Sequence, residues 1–214
     1  MVNSSFAQSF TLESALSYPF PSELTAAQSG SKIAVAINPK GMRNIYVAEA
    51  PAFTLKRLTG YTKDEGLEIT GITLTPDGSR IVYARGGDHG AFDETIPRNP
   101  SSAPSAPKIQ LYSIAVAGGE AILLDEGDEP AISPDSKWVA YIKNNQARIV
   151  AADGSVPARN LFYAKGSISH LQWSPDGSKL LFTASRGDHS FTGIFKDSLS
   201  PVQWIDPAFA RDQS

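Results

Sequence analysis

Apolar residues come in short runs along this chain, and each run is closed within a few residues by Gly, Pro, Asp, Asn or Ser. Runs such as Ile33–Ile37 and Ile81–Ala84 are rich in β-branched residues and too short for buried helices, so they predict strands. Read this way, sixteen strands are expected, at 22–27, 31–37, 44–49 and 54–59, then 68–74, 79–85, 109–115 and 120–124. They continue at 128–132, 137–143, 146–151 and 158–163, and finally at 169–173, 179–185, 191–196 and 201–205. A helix-and-strand alternation would need amphipathic stretches of about ten or more residues between the runs. The one segment that reads as helix is Thr11–Tyr18, with Thr11 at the N-cap and Leu12, Ala15 and Leu16 on one face. It precedes the first blade and is expected to pack on the propeller's side.

The runs repeat as larger units. Thr75-Pro-Asp-Gly-Ser-Arg-Ile-Val-Tyr-Ala, Ser133-Pro-Asp-Ser-Lys-Trp-Val-Ala-Tyr-Ile and Ser174-Pro-Asp-Gly-Ser-Lys-Leu-Leu-Phe-Thr align, and Ala27-Gln-Ser-Gly-Ser-Lys-Ile-Ala-Val-Ala keeps only the last part of the pattern. Anchored on Gly30, Gly78, Ser136 and Gly177, the spacings are 48, 58 and 41 residues. A four-stranded propeller blade takes about 40–45 residues. The fold class is therefore all-β: a partial β-propeller of four four-stranded antiparallel blades, with a short N-terminal helix.

The expected divisions are an N-terminal segment, 1–21, and blades at 22–59, 60–124, 125–163 and 164–214, the last including the start of a truncated next blade. The longest spacing carries an insertion at 87–107 that is rich in Gly, Pro and Ser and is expected to be a loop.

The motif chemistry places it in a hairpin. Pro76, Pro134 and Pro175 fix φ for the first corner, Asp77, Asp135 and Asp176 tolerate the second, and Gly78 and Gly177 supply a residue with positive φ. Ser136 occupies the glycine place in the third repeat, so it is expected to adopt positive φ at a cost of about 1–2 kcal/mol. Blade faces are apolar and are normally covered by the next blade. Four blades leave two faces open, which admits self-association.

Composition narrows the function. The chain has 19 Lys and Arg against 22 Asp and Glu, a net charge of −3 and a pI of 5.6, with no basic block, so a nucleic-acid partner is not expected. Having no cysteine, it has no thiolate metal site or thiol nucleophile. No apolar run is long enough to span a bilayer, and the start, Met1-Val-Asn-Ser-Ser-Phe-Ala-Gln-Ser, has the features of no signal peptide.

Catalytic patterns are missing too. There is no Gly-x-Ser-x-Gly, and the Ser-x-x-Lys matches at Ser29–Lys32 and Ser105–Lys108 fall in a turn and a loop. Paired acids, Asp64–Glu65 and Asp125–Glu126–Asp128, read as solvated edges rather than an acid and base at a set separation. His89, His170 and His189 lack metal-ligand spacing, and neither a metal nor a cofactor is expected. Tyr83, Trp138, Tyr141, Trp173 and Phe182 are expected in the core between blades.

The repeats Thr75-Pro-Asp-Gly, Ser133-Pro-Asp-Ser and Ser174-Pro-Asp-Gly resemble those of TolB-like propellers and of prolyl oligopeptidase family serine peptidases. The peptidases look closer, particularly the dipeptidyl peptidase IV and acylaminoacyl peptidase branch. That likeness rests on Phe10-Thr-Leu-Glu-Ser-Ala-Leu-Ser-Tyr-Pro-Phe-Pro-Ser-Glu-Leu, Arg43-Asn-Ile-Tyr-Val-Ala, Lys56-Arg-Leu-Thr and Arg186-Gly-Asp-His-Ser.

The resemblance implies an N-terminal propeller that caps a C-terminal α/β-hydrolase domain carrying a Ser, Asp and His triad, and that admits short or unfolded peptides. It makes that domain and peptide substrates the expected partners, and a periplasmic or secreted location the expected one. Some members hold the substrate amino terminus with a pair of acidic residues, for which this sequence has no Glu-Glu dipeptide. The alternative is a TolB-like, non-enzymatic propeller that binds partner proteins.

Two loops carry candidate polar groups: Arg85, Asp88 and His89 in Arg85-Gly-Gly-Asp-His89, and Arg186, Asp188 and His189 in Arg186-Gly-Asp-His-Ser190. Both follow a second strand and bring a cation, a carboxylate and an imidazole together. They either face peptide or the hydrolase domain at the tunnel mouth, or close their loops by capping backbone N–H groups.

Overall fold

The computed structural model describes residues 11–16, 18–28, 30–86, 108–164, 166–187, 189–196 and 203–204. Four antiparallel sheets of four strands follow one another along the chain, each in simple sequential order. Blade 1 is β1 (Phe20–Ala26), β2 (Lys32–Asn38), β3 (Asn44–Glu49) and β4 (Lys56–Arg57); blade 2 is β5 (Ile69–Leu74), β6 (Arg80–Arg85), β7 (Gln110–Ala115) and β8 (Ile122–Glu126). Blade 3 is β9 (Asp128–Ile132), β10 (Trp138–Lys143), β11 (Gln146–Ala151) and β12 (Arg159–Tyr163). Blade 4 is β13 (Ser167–Trp173), β14 (Lys179–Arg186), β15 (His189–Lys196) and β16 (Gln203–Trp204). The first strands β1, β5, β9 and β13 neighbour one another in succession, so the sheets radiate from a common inner edge.

All sixteen expected strands are present, with shifted ends. The outer strand of blade 2 lies two residues further along than 120–124, because Gln110 pairs with Glu126 and Ser113 with Ile122. The expected loop at 87–107 lies outside the described residues.

The helix α1 (Leu12–Leu16) is capped by reciprocal hydrogen bonds: the Ser14 N–H donates to Thr11 Oγ1 at 3.0 Å and the Thr11 N–H to Ser14 Oγ at 3.1 Å. Leu12, on the face expected to pack against the propeller's side, is 75% exposed. With five residues, α1 presents too little apolar surface to hold itself against a sheet.

Three core clusters hold the blades together, one at each seam. Ala34, Ala36 and Ile45 of blade 1 meet Ile81, Tyr83 and Ile114 of blade 2, and Val82 and Leu111 of blade 2 meet Val139, Tyr141 and Val150 of blade 3. Ala140 and Ala147 of blade 3 meet Leu180, Phe182 and Ala184 of blade 4. Tyr83, Tyr141 and Phe182 are fully buried, as expected of inter-blade core. Trp138 and Trp173 are only half-buried and line a cleft of about 510 Å³ between blades 3 and 4, with the Trp173 Nε1–H donating to Ala131 O at 3.0 Å.

The candidate face and its interlocks

Each Pro-Asp motif links the first and second strands of its blade, and three of them share one geometry. The N–H of Gly78, Ser136 and Gly177 donates to the carbonyl of Thr75, Ser133 and Ser174, at 2.7, 2.9 and 2.8 Å. The hydroxyl of the same Thr or Ser donates to Asp77, Asp135 or Asp176 Oδ1, at 2.6 Å in each case. It also accepts the N–H five residues on, from Arg80, Trp138 or Lys179. The hydroxyl of Ser174, with the N–H and hydroxyl of Ser178, holds the Asp176 carboxyl down at about 2. The hydroxyl of Ser133 likewise holds Asp135 below the ordinary carboxylate range.

Ser136 has φ of 64°, beside 67° at Gly78 and 70° at Gly177, so the expected left-handed serine is present. Its Oγ accepts the Asp77 N–H at 3.1 Å. Ser136 therefore ties the turn of blade 2 to that of blade 3, a tie that glycine could not make. Lys32 Nζ reaches Gly78 O at 3.3 Å, and Arg80 Nε reaches Ser113 Oγ at 2.9 Å and Ala152 O at 3.1 Å, so side chains cross both of these seams at this end of the blades.

The inner edge carries a feature the sequence pattern did not show. Glu23, Gly71, Glu129 and His170 occupy one repeat-equivalent place in the four first strands and have φ of 54, 59, 51 and 54°. Each sits at a β-bulge where the register against the second strand shifts. Two of these residues bridge to the following blade: Glu23 Oε2 accepts the Ile72 N–H at 3.4 Å, and Glu129 Oε2 accepts the His170 N–H at 2.8 Å. At Gly71 a Cβ would stand 3.0 Å from Pro130 Cδ of blade 3, which favours glycine there.

Arg85 and Arg186, which begin the loops singled out from the sequence, lie at the opposite end of the blades from the Pro-Asp turns. Arg85 closes β6, with its Nη2 2.6 Å from Glu65 Oε2 and its guanidinium carbon 4.0 Å from the centre of the Tyr61 ring. Tyr61 and Tyr83 share a hydrogen bond at 2.8 Å, and Tyr83 stacks on Tyr112 with ring centres 5.6 Å apart. Burial pushes both the Tyr61 and Tyr83 hydroxyls up from their ordinary range, so both stay protonated. Arg85 thus joins the linker between blades 1 and 2 to blade 2.

Arg186 closes β14 and pairs with His189 across a two-residue turn in which Gly187 has φ of 58°. Both Arg186 and His189 are exposed. Asp88, His89 and Asp188 lie outside the described residues. Arg85 is seven residues beyond its turn glycine and Arg186 nine, so the two arginines end strands of different length.

Blade 3 fills the equivalent place differently. Lys143 and Gln146 close a hairpin through Asn144 and Asn145, at φ of 50 and 61°. Lys143 Nζ lies 2.8 Å from Asp125 Oδ1, Arg148 Nε lies 3.3 Å from Asp125 Oδ2, and the Tyr141 hydroxyl donates to the same carboxylate. Burial alone would raise the Asp125 carboxyl, but hydrogen bonds from Lys143 and Tyr141 outweigh it and keep the group low. The solvated-edge reading of Asp125 and Glu65 is therefore corrected. Asp125, in β8, is the anion of an ion pair between blades 2 and 3, and Glu65 ties the linker after blade 1 to Arg85 of blade 2. Among the described residues no group of His, Asp and Glu is arranged to hold a metal, and no helix is long and apolar enough to cross a membrane.

Radial four-stranded sheets, successive inner strands and apolar seams together define the architecture. The chain is an arc of a β-propeller. No protein-family model matches it. Among solved structures, a prolyl endopeptidase matches 89% of this chain at TM-score 0.65 and 16% identity, over 30% of its own length. The β-propeller domain of the Trilobed protease from Pyrococcus furiosus, described as having an open velcro topology, matches 88% at TM-score 0.61 and 10% identity, over 58% of its length. A TolB from Agrobacterium tumefaciens matches 88% at TM-score 0.57 and 18% identity, over 62% of its length. At these identities the likeness establishes the propeller fold, and the chain spans less than two thirds of each of these relatives.

Proposed function

We propose that this propeller arc is the non-catalytic N-terminal portion of a prolyl oligopeptidase family serine peptidase of the dipeptidyl peptidase IV and acylaminoacyl peptidase kind. In that role it gates the access of peptides to an α/β-hydrolase domain beyond these 214 residues. The observation that carries the reading is the set of Pro-Asp blades, flanked by the peptidase-like stretches 10–24 and 43–48, in a chain with no nucleophile motif. The fold it shares with a prolyl endopeptidase is consistent with this role. Arg186 and His189, exposed at the loop end, are the residues of this chain assigned to face peptide or hydrolase, and Asp88, His89 and Asp188 belong to the same assignment. Arg85 supports that end through Glu65 and Tyr61. A periplasmic or secreted location goes with the role.

The test is to express the gene to its stop codon and treat the product with a serine-reactive fluorophosphonate. The expected result is one labelled serine within a Gly-x-Ser-x-Gly beyond residue 214, and amidase turnover that labelling abolishes. The 214-residue chain alone is expected to show neither. A gene that ends after a few more blades with no such serine would replace the peptidase role with that of a TolB-like protein-binding propeller, which the likeness to the Agrobacterium tumefaciens TolB favours as second reading.

A further inference from the structure

The outer strand of a blade has one unpaired edge, and such an edge accepts a foreign strand unless charge or brevity guards it. The outer strands of blades 1 and 3 carry these guards. β4 has only two residues, Lys56 and Arg57, both exposed, and β12 opens with exposed Arg159 and Asn160. β8 of blade 2 has neither guard. It runs for five residues, Ile122–Glu126, and the side chains it exposes most are Ile122 at 39% and Leu123 at 50%.

Among the described residues β8 pairs only with β7, so its other edge keeps backbone N–H and C=O groups for a further strand. The register against β7 shifts between Leu123 and Asp125, and beyond that point Asp125 and Glu126 are engaged by Lys143 and Lys108. The open stretch is therefore the half nearer the Pro-Asp turns. It is held from both sides. Leu124 packs into the seam with blade 3, and Ile122 Cγ2 stands 3.1 Å from where a Cβ on Gly154 of blade 3 would be. Leu123 faces the other way, opposite Tyr112 in β7. A strand laid along this edge meets Ile122 on one face and Leu123 on the other.

Charge says what kind of strand fits. Glu120, just before β8, is exposed and has no ion pair with a described residue. From Glu120 to Glu126 the chain carries acids and no cation, so the same stretch of a second copy would set no cation opposite Glu120.

We propose that this half of β8 takes an added strand from a protein partner, an extended segment of consecutive apolar residues with a Lys or Arg opposite Glu120. Main-chain hydrogen bonds hold the segment, Ile122 and Leu123 select its apolar side chains, and Glu120 selects its cation. The site lies on the outer rim of the propeller and does not rest on the peptidase role.

Fluorescence anisotropy with the amidated, fluorescein-labelled peptide Ser-Lys-Val-Ile-Val-Lys-Ser tests it, on the polypeptide expressed to its stop codon and treated with the fluorophosphonate. Saturable binding is expected. Leu123→Lys supplies the missing guard and is expected to weaken binding about tenfold with an unchanged circular dichroism spectrum. Glu120→Lys is expected to weaken it about threefold, and to strengthen binding of the peptide with Glu in place of both Lys. The peptide N-methylated at its three apolar residues is expected not to bind, because the ladder is lost. Absence of saturable binding, or binding indifferent to Leu123→Lys or to N-methylation, overturns the proposal. A doubled mass in light scattering that Leu123→Lys returns to one chain overturns it in favour of a second copy. Binding that appears only when residues 87–107 are replaced by a Gly-Ser link overturns it in favour of that segment as the cover. The peptidase role is read separately, from serine labelling.

Discussion

The two ends of the blades are built on different principles. At the turn end, blades 2, 3 and 4 repeat one arrangement almost atom for atom, from the 2.6 Å hydroxyl-to-carboxylate bond to the left-handed residue at φ of 64 to 70°. At the loop end no two of these blades agree. Blade 2 uses Arg85 with Glu65 and Tyr61, blade 3 uses Lys143 and Arg148 with Asp125, and blade 4 has the short Arg186–His189 hairpin. The hydroxyl, carboxylate and N–H groups that shape the turn meet within six residues, so the turn can be copied into any blade, and contacts such as Ser136 to Asp77 are added across seams. The loop end satisfies its groups between segments about 20 residues apart, so each solution depends on its neighbours. Among blades 2 to 4 the variation lies at the loop end, and that is where recognition residues can diverge.

Breaking the loop end is expected to have the largest effect. Asp125→Ala leaves Lys143 with only Glu126, at 3.7 Å, leaves Arg148 with only the Tyr141 hydroxyl and removes that hydroxyl's acceptor, and is expected to cost on the order of 2 kcal/mol in urea unfolding. Asp77→Ala at the turn end removes an acceptor shared by Thr75 and Ser79, and is expected to cost about 1 kcal/mol. Equal losses at the two ends would remove the contrast.

A loss comparable to that of Asp77→Ala is expected from Tyr83→Phe. It deletes one partner of the Tyr61 hydroxyl and is expected to cost about 1 kcal/mol in the same assay. At Ser136 the order of two variants sharpens the turn argument. Ala keeps the left-handed strain and loses the acceptor for the Asp77 N–H, whereas Gly loses the acceptor but relieves the strain, worth about 1 kcal/mol. The Ser136→Ala protein is therefore expected to melt below the Ser136→Gly protein.

The smallest effect is a pH dependence. Asp176 sits at about 2 in the folded chain, against an unfolded value of about 3.9. A lowered folded value means that the ionised carboxylate stabilises the turn. Its contribution is complete above the unfolded value and is lost as pH falls from there through about 2. Because Asp176 is fully exposed, the slope is expected to be shallow, and Asp176→Ala to flatten it in melting curves taken across that window.

The turn end was legible because its determinants are local. Pro, Asp and a residue tolerating positive φ specify the hairpin within four positions, and the left-handed Ser136 followed from alignment with Gly78 and Gly177. The serine's purpose did not, because its partner lies 59 residues away in Asp77. Nothing near Glu23, Glu129 or His170 favours a left-handed residue. The register of the inner strand against the second strand imposes it. Gly193 reads as an ordinary strand glycine until the Phe182 ring is found where its Cβ would stand, 2.2 Å from Cζ. Glu65 and Asp125 read as solvated acids because a sequence shows neighbours along the chain and not across a seam.

The sequence by itself determined the strands, the hairpins joining them and the division into four blades, since spacing and turn chemistry act over a few residues. The tertiary structure alone decided which acids meet which cations and which residues bulge at the inner edge. Those outcomes depend on contacts between blades, where distance along the chain carries no information about distance in space.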